Sequence, residues 1–460
     1  MTPELKPIAE RIEHLYRDII DPVGERFAFP RAPHAGEVGG PPMVLIIGNH
    51  SSGKSSFINH LLGKPVQTTG LAPTDDAFTV LAYGEPGERD GRAIVSDPDL
   101  AFTGLAHFGP TFLSHFRRKT RPIELLRTVH LVDTPGMIDS AREDSGRGYD
   151  FTGAVRWFAE RAELVLMFFD PDKPGTTGET LEVFNSALGD LSHKLRVVMN
   201  KVDMFRSIED FARAYAALCW NLAKVMPRKD LPLIYTTYTP MSELPIGTLP
   251  RDDFDRARVT LIEEIRETPE RRADTMITRL SEHADRLELH ARIVDAAVSD
   301  ARASRRGAYG WVALAALLAF GGAASTLFFG EIDYSRVALA FAMAAALTGL
   351  ALILAQRAIK KSVEHILADL DALFRRLYGR ELLVREHAAD LRALWDETRG
   401  RTARTLENLG PLSFPRLGRR EHKKLHAVRD AEVPSLRRML RQAREAAPED
   451  AADKKARRKR

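Results

Sequence analysis

The sequence predicts two architectures in one chain. The first is an α/β domain, a mostly parallel sheet with helices on both faces. The second is an α-helical bundle or stalk bearing a two-helix apolar hairpin. Three observations predict this. Between Met43 and about Thr239, short apolar runs alternate with helical patterns, as strands joined by crossover helices do. The first run, Met43-Val44-Leu45-Ile46-Ile47, enters a glycine-bounded loop, Gly48-Asn49-His50-Ser51-Ser52-Gly53-Lys54-Ser55, with helical spacing after it. Beyond Arg251 the chain is charged, poor in Gly and Pro, and interrupted by two long uncharged stretches. At 460 residues it exceeds one ordinary core.

Taken in order, Ile8, Ile12, Leu15 and Ile19 share a face of an amphipathic helix over residues 7–20. Residues 21–42, rich in Pro and Gly, read as a linker, so 1–42 forms a helix and linker expected to pack on the helical domain. Strands are predicted at 43–48, 78–83, 129–133, 164–169, 195–199 and 232–236. Helices are predicted near 54–63, 104–118, 150–162, 179–189 and 207–226. This α/β domain spans 43–245, and helical stalk segments follow at 246–307 and 356–448.

The uncharged stretches are 308–330 and 337–355, each long enough to cross a hydrocarbon core of about 30 Å. A short connection between them makes a hairpin, 308–355, whose ends emerge on one side. Arg305 and Arg306 precede it; Arg357, Lys360 and Lys361 follow it. The positive-inside tendency then puts the α/β domain and both termini in the cytoplasm, with two spans in the membrane. The second stretch is short and rich in Ala, so a hairpin that enters without crossing stays open.

The net charge of +4 is small, but six of the last seven residues are basic. Residues 449–460 are expected to be a disordered basic tail, or a lipid-attracted one. The single cysteine, Cys219, excludes an internal disulfide and suits a reducing compartment. The start, Met1-Thr2-Pro3-Glu4-Leu5-Lys6, lacks the pattern of a secretory signal.

Chemistry concentrates in the first domain. In a phosphate-binding loop, the N–H groups of Gly48 through Ser56 converge on phosphate oxygens at a helix N-terminus. Lys54 then reaches the β and γ phosphates, and the Ser55 hydroxyl binds Mg²⁺. Asp133-Thr134-Pro135-Gly136 ends a predicted strand. Asp133 is placed to hold Mg²⁺ through water, and the Gly136 N–H to sense the γ phosphate. Asn200-Lys201-Val202-Asp203 ends another strand, and such a tetrapeptide reads guanine through its carboxylate and lysine stem. Thr74, in Pro73-Thr74-Asp75, is a candidate catalytic and metal-closing threonine, or else a plain turn or cap. Met137 stands where many GTPases place the glutamine that orients water, so slow basal turnover is expected.

At these residues the chain resembles the EHD family of the dynamin superfamily, over roughly 8–300. The likeness rests on Pro42-Met43-Val44-Leu45, Pro73-Thr74-Asp75-Asp76-Ala77-Phe78 and Asp133-Thr134-Pro135-Gly136. Arg147-Gly148-Tyr149-Asp150-Phe151, Trp157-Phe158-Ala159-Glu160-Arg161, Asn200-Lys201-Val202-Asp203-Met204 and Leu218-Cys219-Trp220-Asn221-Leu222-Ala223-Lys224-Val225 extend it. The resemblance implies a dynamin-type G domain at 43–245, carried on helices from both sides of it in sequence. It also implies dimerisation through that domain, higher oligomers on a phospholipid membrane, and nucleotide-linked remodelling. Nucleic acid is not expected as a partner.

The chain departs from the family in three ways. Thr74-Asp75-Asp76 replaces the usual Thr-Thr-Asp, so the switch residue can align with Asp75 instead. No EH domain is read in it. The family keeps Asn-Lys-x-Asp yet is regarded as ATP-hydrolysing, and Ile234-Tyr235-Thr236-Thr237-Tyr238 lacks the Ser-Ala-Lys of a guanine pocket. Motif logic favours GTP and the resemblance favours ATP. The functional expectation is a membrane-anchored, Mg²⁺-dependent NTPase that couples self-assembly to membrane remodelling, or a nucleotide-switched tether without remodelling.

Overall fold

The computed structural model describes residues 4–31, 40–69, 76–137, 147–171, 180, 182–225, 231–240, 251–325, 334–383 and 385–457. It divides into two compact units. One comprises Met1–Glu13, Pro33–Met276 and Arg437–Arg460; the other comprises His14–Ala32 and Ile277–Leu436.

The first unit is built on one eight-stranded sheet of order β3-β4-β2-β5-β1-β6-β7-β8. The strands are β1 (Met43–Gly48), β2 (Phe78–Tyr83), β3 (Gly87–Asp90), β4 (Phe116–Arg121), β5 (His130–Asp133), β6 (Leu164–Phe169), β7 (Leu195–Met199) and β8 (Ile234–Thr236). Every pairing is parallel except β2 with β5 and β3 with β4. β1 shows why the centre reads as unbroken apolar sequence: both its faces are covered. Leu45 and Ile47 join one core cluster with Phe78, Phe112 and Phe158. Val44 and Ile46 join another with Phe57, Phe168 and Leu261. Phe78 stacks on Phe158 with ring centroids 5.5 Å apart.

β3 and β4 are not predicted from sequence. The expected helix at 104–118 is instead a 3₁₀ turn (Thr103–Phe108), a short helix (Gly109–Ser114) and then β4. Gly109-Pro110 breaks the helical run, and Phe116-Arg117-Arg118-Lys119-Thr120-Arg121 is too charged to look like a strand. It pairs because β2 and β3 supply a ladder on each side, an override of local propensity by tertiary context. Two further differences are local. The expected linker begins as helix, Asp21–Arg26, with Pro22 tolerated in the first turn. The final helix, Val433–Arg457, runs through most of the stretch expected to be an irregular tail. There Leu440 is buried and Arg444 donates to Glu270 at 3.1 Å, both within the first unit.

The second unit is helical. His290 is fully buried there, its ring nitrogens 2.9 Å from Thr402 Oγ1 and from the Phe27 carbonyl. Phe29 packs on His283 and His290, and Phe374 stacks on Trp395 at 5.1 Å. The helices Thr268–Ser325 and Tyr334–Ala368 carry the two apolar stretches, and each is long and apolar enough to cross a membrane. They meet through Phe320 and Phe341, ring centroids 6.1 Å apart, and Ala323 and Ala344 on the same two helices are buried. Small residues at such a contact let backbones approach closely. Most of the remaining apolar surface is bare: Trp311 is 74% exposed and Leu317 71%. Residues 326–333, between these helices, lie outside the described residues.

Candidate nucleotide site

The loop after β1 sits where the sheet's topology concentrates strand carboxyl ends. β1 is flanked by β5 and β6, and β7 lies beyond β6, all parallel to it. Ile46 pairs with Asp133, so the loop starting at Gly48 and the Asp-Thr-Pro-Gly segment leave neighbouring strand ends together. β2 runs the other way, which puts its beginning, Thr79, opposite Asp133.

Sequence chemistry explains the loop's shape. Gly53 has φ 87° and precedes the helix Lys54–Leu62. A Cβ there would collide with the Asn200 amide, which itself donates to the Ser52 carbonyl at 3.0 Å. Glycine is therefore required twice, by conformation and by space. Ser51 and Lys201 also hold left-handed backbone, φ 62° and 58°; such positions persist where surrounding structure over-determines them, and they cluster at functional sites. A second close approach brings Gly136 against the His50 backbone. His50 N–H donates to the Met137 carbonyl and Met137 N–H to the Gly48 carbonyl, at 3.2 and 3.1 Å. The Met137 side chain is buried in the core.

Lys54 is buried, and its Nζ donates to the carbonyls of Gly48 and Asn49 at 2.9 and 3.1 Å. Burial brings its pKa down to about 8; the Asp133 carboxylate pulls it up and the Arg147 guanidinium pushes it further down. A lysine held this way gains most from an anion that replaces its lost hydration. Ser55 Oγ donates to Asp133 Oδ2 at 3.3 Å, long for such a bond. One hydroxyl and one carboxylate converging beside a phosphate-type loop are the hard oxygen donors that Mg²⁺ takes, with phosphate and water completing its shell. The donor set therefore fits this ion.

Opposite the loop, Asn200 is buried and its Oδ1 accepts no hydrogen bond among the described residues. Lys201 Nζ lies 2.8 Å from Asp170 Oδ2. Burial raises the Asp203 pKa, against a backbone hydrogen bond and Lys201, which lower it. Thus Gly48, Asn49, His50, Ser51, Ser52, Gly53, Lys54, Ser55, Asp133, Gly136 and Asn200 come to one place, with Lys201 and Asp203 following Asn200 directly. Ser56 continues the loop helix. Thr74 and Asp75 lie outside the described residues.

Several side chains at the site are given no role by the sequence. Asp170 follows the last residue of β6, on the side of the sheet where Asp133 ends β5, a signal that the strand-end rule carries. Thr180 Oγ1 donates to Asn49 Oδ1 at 2.9 Å, and Arg147 Nη2 to the Gly136 carbonyl at 2.7 Å while stacking on Phe151. Gln67 donates to Asp133 Oδ2 at 2.7 Å and accepts from Lys119 Nζ at 2.9 Å. No motif marks either of the last two.

The dynamin family model matches residues 44–202. EH domain-containing protein 1 of Arabidopsis thaliana is 33% identical over 298 residues, 63% of this chain and 52% of that protein. EH domain-containing protein 2 of Homo sapiens is 36% identical over 238 residues, 50% of this chain and 44% of that one. Over these residues the chain is similar to the EHD proteins of the dynamin superfamily. This EHD-like chain spans about half the length of the curated relatives it matches. A solved chain from an oligomerised bacterial dynamin pair, described as long-range sensing and tethering of membranes, is 12% identical. It covers 82% of the EHD-like chain and 80% of its own length, at a TM-score of 0.34.

Proposed function

We propose that this chain is a membrane-anchored P-loop nucleoside triphosphatase that couples nucleotide-dependent self-assembly to membrane remodelling. One observation carries the catalytic half: Lys54, Ser55, Asp133 and Asn200 converge on one loop at the strand carboxyl ends. Loop N–H groups from Gly48 to Ser56 and the positive charge of Lys54 bind the phosphates. Ser55 and Asp133 hold Mg²⁺, with Thr74 the proposed third contributor; bound Mg²⁺ neutralises charge on the phosphate oxygens. Gly136 follows the γ phosphate, and Asn200, Lys201 and Asp203 hold the base. Asn200 Oδ1, a buried acceptor, is satisfied by a donor from the ligand. We favour GTP over ATP on the Asn-Lys-x-Asp motif, with ATP the alternative that the EHD relatives raise. Met137, buried in the core, orients no water, which supports slow turnover until assembly.

The membrane half rests on the bare apolar faces of Thr268–Ser325 and Tyr334–Ala368. In this reading the G domain occupies 43–245, stalk segments 246–307 and 356–448, and the hairpin 308–355, with both termini cytoplasmic. Self-association through the G domain is favoured by Trp220, 68% exposed on the helix Ile208–Val225. The second reading, a nucleotide-switched tether, uses the same site without deforming lipid. The deciding experiment is calorimetric titration with non-hydrolysable GTP and ATP analogues, plus turnover with and without liposomes. Binding to neither analogue sinks the proposal. Tubulation or fusion lost in Lys54→Ala supports remodelling, whereas nucleotide-dependent recruitment alone supports the tether.

A further inference from the structure

A buried lysine in the middle of a strand needs an explanation, because removing an ammonium from water is costly unless something compensates. Lys119, on β4, is 8% exposed. Its Nζ meets the Gln67 side-chain oxygen at 2.9 Å, and the Gln67 amide nitrogen meets Asp133 Oδ2 at 2.7 Å. Gln67 is itself 4% exposed. Its backbone is tied down as well: Asn59, on the loop helix Lys54–Leu62, accepts from the N–H groups of Val66 and Gln67 and donates to the Gln67 carbonyl, each at 2.8 Å. A side chain fixed at both ends and at its root is built to hold something still.

We propose that Gln67 is the positioning residue of the metal site. Its amide, polarised by Lys119, fixes the Asp133 carboxylate for Mg²⁺. The inference rests on the nucleotide and Mg²⁺ reading above. The amide is the chemically apt intermediary. A lysine bonded directly to Asp133 would neutralise the carboxylate and compete with the cation. A neutral amide donates to the same oxygen without a full charge, so the negative charge stays available to the metal. The ammonium strengthens that donor from one bond further away. Gln67 and Ser55 address the same oxygen, Oδ2, so the amide also sets the orientation in which the carboxylate meets the Ser55 hydroxyl. Residues that orient a metal-binding group in this way commonly cost 10–100-fold in metal affinity or activity when removed.

The test is the Mg²⁺ concentration that half-saturates nucleotide binding, followed with a fluorescent guanine or adenine nucleotide, alongside affinity for the same nucleotide in EDTA. Comparing the two within each protein cancels any loss of folded fraction. Gln67→Leu is expected to raise the Mg²⁺ half-saturation about tenfold while changing the affinity in EDTA less than twofold. Lys119→Met should shift it in the same direction by less, and Lys119→Arg should restore it. Unchanged Mg²⁺ dependence in Gln67→Leu, or an equal loss in EDTA, overturns the assignment. A wild-type chain that binds no nucleotide removes the underlying reading instead, so the two failures are distinguishable.

Discussion

Gly53→Ala tests whether the loop is held as described, because two separable costs meet at one position. The first is backbone strain: an L-residue at φ 87° costs about 1–3 kcal/mol. The second is steric. The new methyl group occupies the space of the Asn200 amide, which is 1% exposed and bonds the Ser52 carbonyl. Displacing it leaves a buried donor and acceptor unmet, worth about 1–3 kcal/mol. The total is about 2–6 kcal/mol.

Gly63→Ala supplies the control. Gly63 is also left-handed, φ 64°, yet nothing lies within 4 Å of the added carbon. It should show the backbone cost alone. In thermal unfolding, each 1 kcal/mol corresponds to about 2–4 °C for a unit of this size. The Gly53 variant should therefore melt well below the Gly63 variant, and only it should lose nucleotide affinity. Equal melting and equal affinity for the two variants would refute the packing of Asn200 on Gly53.

Other outcomes follow from single features. Trp220→Ser should shift a nucleotide-bound dimer toward monomer in light scattering, and an unaltered mass would count against the G-domain interface. Leu317→Arg and Leu347→Arg each place a charge mid-hairpin at a cost of about 2.5–3.5 kcal/mol; flotation with liposomes should fall, and undiminished flotation refutes the anchor. Asp285 is pushed up to about 6, chiefly by burial, with Glu288, Asp430 and Glu282 adding to the rise and Arg429 opposing it. Its folded pKa lies above the unfolded value, so its contribution is full below the usual carboxylate range and is lost as pH rises through about 6. Asp285→Asn should accordingly raise the melting temperature at pH 7.5 and have little effect at pH 4. An equal effect at both pH values argues against a buried charge there.

How much of this was legible in the sequence depends on whether a residue acts through a local pattern. Gly48, Gly53, Lys54 and Ser55 belong to one loop whose glycines and lysine have fixed spacing, so they announce themselves. Asp133 ends one apolar strand and Asn200 follows another, and the carboxyl ends of parallel strands lie on one side of the sheet. β4 stayed hidden because Phe116-Arg117-Arg118-Lys119-Thr120-Arg121 is strand only by virtue of its neighbours on both sides. Gln67 was hidden for a related reason. Its meaning arises from Lys119 and Asp133, 52 and 66 residues away, and no local spacing encodes that triangle. The helical unit was visible in outline as charged, periodic sequence. Its interior was not, since burial of His290 between Thr402 and Phe27 joins residues that only the fold brings together.

The interleaving of the two units has a consequence for biosynthesis. Residues 437–460 belong to the first unit, but Ile277–Leu436 leave the ribosome before them. At about 5–20 residues per second, that stretch takes about 8–32 seconds to emerge. The nucleotide-binding unit therefore waits, open at one seam, while the apolar hairpin is already outside. Leu440 and Arg444 can close it only at the end, against partners made long before. The order of manufacture thus places the two long apolar helices outside the ribosome ahead of completion of the first unit.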